Sequence, residues 1–167
     1  MIRLLVLALL ASGCGFHLRG SGLESSIDTA EVREVGRAPV SRELTRLLRG
    51  AGVTIVDEED GASTVIELLS QKEGRRGVSV TDRTKTAEYE LSLEVKFRVR
   101  DNIGELVPER VARVERVYRL DSTNIVGSHE QESLVRSEME REVVRQIVTV
   151  LEAAVRTRNR PDAPQTG

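Results

Sequence analysis

The sequence predicts an α+β two-layer sandwich, with two helices packed on one face of a four-stranded, mostly antiparallel sheet. Three observations carry that reading. Tyr89, Leu91, Leu93, Val95, Phe97 and Val99 alternate strictly with Glu90, Ser92, Glu94, Lys96, Arg98 and Arg100, the period of a strand with one core face and one wet face. Val40, Leu44, Leu47, Leu48 and Ala51 fall on one stripe of a helix. A second stripe runs through Val135, Met139, Val143, Ile147, Val150, Leu151 and Ala154. The order is strand, helix, three strands, helix, and two amphipathic helices need one sheet face to cover.

The chain opens on a leader. Arg3 precedes eight apolar residues, Leu4 to Ala11, which suit the hydrophobic region of a signal peptide and fall far short of the roughly 20 needed to span a bilayer. Ala11, Ser12 and Gly13 are small, as signal-peptide cleavage requires. The chain's single cysteine, Cys14, follows directly. This arrangement is similar to a bacterial lipobox, in which the thiol takes a diacylglycerol and the leader is cut away before it. Residues 1–13 are therefore read as a signal peptide, and residues 14–26 as the lipidated N-terminus and a linker. Gly15 after the cysteine favours the outer membrane over retention at the inner one. The alternative is an ordinary secretory leader followed by a buried free thiol.

Residues 27–156 form one domain. Ile27 to Val35 alternates weakly and reads as the first strand, interrupted by Gly36 and Pro39. The first helix follows, with Pro39 at its start and Gly50 and Gly52 at its end. Val53 to Val56 is a short apolar run before four adjacent acids, Asp57 to Asp60. Those acids lack the spacing of a calcium loop and read as a solvated turn. Ser63 to Ser70 is apolar on both faces and reads as a covered strand. Gln71 to Gly77 is polar and Gly-bearing, a loop; Val78 to Val80 resumes extended structure; Asp82 to Lys85 is a second polar tip. The long alternating strand then runs roughly 40 Å from Glu88 to Arg100, turns at Asp101 to Gly104, and returns as Arg110 to Leu120. Arg116 breaks the alternation there, which predicts a bulge near Glu115 to Val117. Ser128 with Gln131 has the pattern of a capping box opening the last helix. Residues 157–167 are polar and Pro-bearing, a disordered tail.

Composition narrows the function. Hydrophobic residues make up 39% of 167 and aromatics 2%, with no Trp, so the core is Val, Leu and Ile plugged by Tyr89, Phe97 and Tyr118. Without the leader and its Arg3, 24 basic residues stand against 27 acidic ones, which argues against a nucleic-acid binder. One cysteine excludes an internal disulfide and a Cys-rich zinc site; two histidines, His17 and His129, argue against a histidine metal site. Phosphate loops, dinucleotide fingerprints and nucleophile elbows are absent, and the carboxylates are interleaved with Arg and Lys as on a solvated face. No catalytic residues, no metal and no cofactor beyond a lipid on Cys14 are expected. One constellation stands out: Lys72, Arg75, Arg76, Arg83 and Lys85 gather between the two middle strands, at one end of the sheet, where Arg forks suit phosphate. An ordinary charged hairpin tip is the competing explanation.

The run Cys14-Gly15-Phe16-His17-Leu18-Arg19 resembles the start of the mature LptE family, outer-membrane lipoproteins of lipopolysaccharide assembly. The likeness continues through SRELTRLLRGAGV, Thr86-Ala87-Glu88-Tyr89-Glu90-Leu91 and the stretch from Ser137 through Val150, in the same order. The resemblance implies a two-helix, sheet-based plug inside the LptD β-barrel, held on the periplasmic side of the outer membrane by its lipid. It implies help in assembling that barrel and in delivering lipopolysaccharide to the outer leaflet. It also implies lipopolysaccharide binding through basic residues, here Arg83 and Lys85 first, with Arg75, Arg76 and Lys72. Ser128 and His129 stand where the family often has a basic residue. A plug would set Glu90, Glu94, Lys96 and Arg98 against the barrel's polar interior. The competing class is another envelope lipoprotein, an accessory subunit of a lipid transporter or a cell-wall synthase. An envelope hydrolase would need a converging carboxylate pair.

Overall fold

The computed structural model describes residues 23, 26–57, 61–81, 86–121 and 125–159. Cys14, His17, Arg83, Lys85 and the acids Glu58 to Asp60 lie outside the described residues. The elements run β1 (Thr29–Glu34), α1 (Ser41–Gly50), β2 (Thr54–Ile55), β3 (Thr64–Thr81), β4 (Thr86–Asp101), β5 (Glu105–Asp121) and α2 (Ile125–Arg158). They form one five-stranded sheet in the order β2-β1-β3-β4-β5.

The α+β class and the two helices agree with the expectation; the strand count does not. β2 is a fifth strand of two residues, too short for any alternation to show. It lies parallel to β1, with Thr29 opposite Thr54, because α1 carries the chain back to the start of β1. β1 is also parallel to β3, whereas β3, β4 and β5 are antiparallel, so the sheet is mixed.

The larger correction is β3. Gln71 to Gly77 is strand, not loop, and β3 and β4 pair from Thr64↔Asp101 to Thr81↔Thr86. The segment is polar because both its faces find polar partners. Gly74 marks contact, not a turn: a Cβ on it would stand 2.4 Å from Ser92 Oγ on the neighbouring strand. The predicted bulge near Glu115 to Val117 is also absent. Leu91↔Arg116 and Glu90↔Val117 pair in continuous register, and the irregularities lie between Leu68 and Ser70, between Gly77 and Ser79, and around Phe97 to Arg100. Arg116 occupies a core-side position yet is exposed, because β5 is the edge strand.

Core-side residues of β3 and β4 (Ile66, Leu68, Leu91, Val95, Phe97, Val99) meet Leu44 and Leu48 of α1 and Val143, Val144, Ile147 and Leu151 of α2 in one buried cluster. α1 packs beside β1 and β2, α2 over β5 and β4, and the two helices touch. Leu23 and Ile27, ahead of β1, are buried in the same core. α2 starts at Ile125, so Ser128 is an interior, buried helix residue and not the cap. It runs to Arg158, two residues into the stretch read as tail. There Arg158 pairs with Asp101 at 3.0 Å and donates to the Glu105 carbonyl at 3.1 Å.

Gly36 sits where β1 leaves the sheet beside the Leu69 irregularity, and its amide donates to Leu68 O at 3.3 Å. A Cβ there would stand 2.3 Å from the Leu69 carbonyl oxygen, a backbone atom that cannot rotate away. Gly36→Ala is expected to cost about 1–2 kcal/mol through forced backbone displacement, read as a lower midpoint in urea with an unchanged slope.

Candidate functional site

The basic cluster depends on β3 being a strand. Successive side chains of a strand point to opposite faces, so the adjacent arginines Arg75 and Arg76 part company. Arg75, opposite Leu91, lies on the helix side; Arg76, opposite Glu90, lies on the open side with Lys72, opposite Glu94.

On the helix side, the Arg75 guanidinium lies 4.0 Å from the centroid of the Tyr89 ring and 5.8 Å from that of Tyr118. The two rings stack at 5.8 Å with 27° between their planes. Arg75 also approaches Glu132 of α2 at 3.9 Å. The Tyr118 hydroxyl donates to Glu132, and Arg136 donates to Glu132 at 2.8 Å and to Glu73 at 2.6 Å. Burial, and then the bond to the Glu132 carboxylate, push the Tyr118 hydroxyl up to about 12. Glu132 is held below the usual carboxylate range, first by the Tyr118 hydroxyl and then by Arg136 and Arg75, against the opposing effect of burial. Two guanidiniums and two carboxylates balance here, tying β3, β4 and β5 to the N-terminal third of α2. Arg75 is a fastening within the fold, with its π-face and its charge both engaged.

The open side carries a different pattern. Among the described residues no helix covers it, and its charges pair across neighbouring strands, most of them in register. Arg76 bonds Glu90 at 2.6 Å, Lys96 bonds Glu109 at 2.9 Å, Arg119 bonds Glu88 at 2.9 Å, and Arg113 lies 3.8 Å from Glu94. The Arg76 bond holds the Glu90 carboxyl below its ordinary range. Toward β1, Glu67 is 2% exposed although it points to this side, because Arg98, Arg100 and Arg33 close over it. Burial alone would raise its carboxyl; the hydrogen bonds from Arg98 and Arg100 outweigh that and hold it low.

Between these ladders an open groove of about 300 Å³ is lined by Gly74, Arg76, Glu90, Ser92, Arg113 and Glu115, with Arg75 at its margin. Arg113, on β5, is a cation that reading the sequence alone did not single out. Its place beside Arg76 follows from pairing across β4, with Glu94 opposite Arg113. Lys72 and the 74%-exposed Arg76 side chain line the same face. Thus the register sets Lys72, Arg76 and Arg113 on one face, while Arg75, which also borders the groove, is turned to the other. His129 and Glu130 are exposed on α2. Arg136 and Glu132, which organise the helix-side cluster, are four residues apart on one helix face, a spacing visible in the sequence once that face is known to meet the sheet.

Residues 27–151 match the LptE family, described as lipopolysaccharide-assembly. The chain belongs to the LptE family. It is 31% identical over 148 residues to the LPS-assembly lipoprotein LptE of Photorhabdus laumondii subsp. laumondii, covering 85% of this chain and 81% of the relative. The fold recurs in the crystal structure of the rare lipoprotein B from Shewanella oneidensis, with a TM-score of 0.67 and 20% identity over 79% of this chain and 99% of that one. It recurs again in the solution structure of uncharacterized lipoprotein B from Nitrosomonas europaea, with a TM-score of 0.66 and 21% identity over 89% of this chain and 99% of that one. The two solved structures thus share this chain's fold.

Proposed function

We propose that this LptE-family chain is the lipoprotein subunit of a lipopolysaccharide-assembly machine, anchored by acylated Cys14 on the periplasmic side of the outer membrane. It occupies a large LptD-like β-barrel as a plug, helps that barrel assemble, and aids delivery of lipopolysaccharide to the outer leaflet. The observation that supports the reading most is the uncovered sheet face: a meander roughly 50 Å long, studded with alternating charges and left bare by both helices. Such a face is unsuited to apolar docking, and its side chains can exchange intramolecular ion pairs for polar groups on a barrel wall. The role is one of binding and scaffolding, without catalysis. Lipopolysaccharide phosphates would meet Lys72 and Arg76 on the open side, with Arg83 and Lys85 in the sequence between β3 and β4.

Affinity purification of the tagged full chain from detergent-solubilised outer membranes tests the partner. A stoichiometric large β-barrel supports the plug. An inner-membrane transporter or a cell-wall synthase in its place overturns it. Lipopolysaccharide binding by the purified chain tests the residues. Lys72→Ala with Arg76→Ala is expected to weaken binding at least tenfold, by analogy with the about 1.5–3 kcal/mol a hydrogen bond to a charged group contributes. Arg75→Ala is expected to lower the melting temperature while leaving affinity within about twofold. An Arg75→Ala loss as large as that of the double variant would show that charge anywhere on β3 suffices.

A further inference from the structure

The fold places the lead-in of the chain, the β4–β5 turn and the end of α2 at one end of the molecule. Ser26, Asp101, Asn102, Ile103, Arg158 and Asn159 line a common cleft there. Asp101 closes the turn, accepting from the amides of Ile103 and Gly104 at 2.9 Å, and Arg158 holds its carboxylate from α2. The apex is Asn102-Ile103-Gly104, without charge. Ile103 is 81% exposed, the most exposed large apolar side chain among the described residues. A lone exposed isoleucine on a free protein calls for no explanation. A tethered one is different, because its partner is held nearby.

The tether sets the geometry. Leu23 is buried in the core, and its carbonyl accepts from Ser26 and Ile27 at 3.0 and 2.8 Å, so Leu23 is a fixed point of the fold. Nine residues, 14–22, separate the fold from Leu23 back to and including Cys14. Fully extended they span at most roughly 30 Å. β4 alone is roughly 50 Å long, so the end carrying Tyr89 and Val78 lies beyond that reach in an upright molecule, whereas the Ile103 end lies within it.

Resting on the reading of Cys14 as the lipid anchor, we propose that the β4–β5 turn is a second, non-covalent membrane contact: in the lipidated chain free of its barrel, Ile103 enters the interface of the bilayer that holds the anchor. The contact is apolar. Asp101 is paired within the turn, while Asp28 and Glu105 at the same end gain nothing from anionic lipid. Because anchoring makes insertion intramolecular, one buried isoleucine suffices to bias orientation by an order of magnitude or more.

The absence of Trp from the chain makes the test site-specific. Full-length lipidated protein carrying Ile103→Trp, and separately Val78→Trp as a reference at the 52%-exposed far-end position, is reconstituted on phosphatidylcholine vesicles with and without brominated acyl chains. The Ile103→Trp emission is expected to shift to the blue and to be quenched at least threefold more than that of Val78→Trp. Equal, weak quenching of both, with the protein floating with the vesicles, overturns the membrane contact and leaves the anchor standing. Protein that does not float overturns the anchor and the contact together.

Discussion

Phe97→Ala is expected to cost about 3–5 kcal/mol, a large share of the 5–15 kcal/mol that holds an ordinary domain together. Phe97 is 1% exposed at the centre of β4, opposite Leu68 on β3 and Arg110 on β5. It is the largest fully buried side chain among the described residues. The surrounding core is built largely from Val, Leu and Ile. Branched side chains on a paired sheet cannot swing into the void, so the cavity stays open and its lining loses contacts. Phe97→Leu, which keeps most of the volume, is expected to cost under about 1.5 kcal/mol. Urea unfolding of the three proteins checks this. A Phe97→Ala loss no greater than that of Phe97→Leu would mean that the helices settle into the gap.

Glu67→Ala is expected to destabilise by about 2–3 kcal/mol, less than for a fully buried pair because Arg98 and Arg100 are partly exposed. That corresponds to a melting temperature lower by on the order of 10 °C. The substitution removes the carboxylate that Arg98 and Arg100 both bond and leaves those two guanidiniums facing each other, while Arg33, 3.9 Å from Glu67, keeps its bonds to Glu31. The same group sets an acid dependence. Its carboxyl is held below its ordinary value in the folded chain, so it is stabilising at pH above the unfolded carboxylate range near 4.5. That contribution is lost as the pH falls through the lower, folded value. Thermal melts from pH 7 to pH 3 are therefore expected to fall less steeply for Glu67→Gln than for the parent chain. Parallel slopes would place the acid sensitivity elsewhere, with Glu132 as the next group to replace.

How much of this was legible in the sequence varied with the length and regularity of each signal. The alternation from Tyr89 to Val99 and the two helical stripes are local and long, so they specified β4, α1 and most of α2 without tertiary information. The CGFHLRG and TAEYEL runs, met in order, pointed to the family that residues 27–151 then matched. β2 has two residues and no period to detect. Gln71 to Gly77 has the composition of a loop because its hydrophobic cover is replaced by polar partners. Those partners, Glu132 and Arg136, come from a helix more than fifty residues away in the chain.

The candidate site followed the same division. The sequence by itself determined that Lys72, Arg75 and Arg76 lie together on one short stretch, and it is the sequence alone that proposes Cys14 as the lipid anchor. Only the tertiary structure decided that Arg75 is spent on a tyrosine stack while Arg76 faces outward with Arg113. The physical reason is that a strand turns adjacent residues to opposite faces, while pairing across strands brings distant ones together. Which cation stays available for a phosphate therefore depends on register and on what covers each face, and both are properties of the assembled sheet.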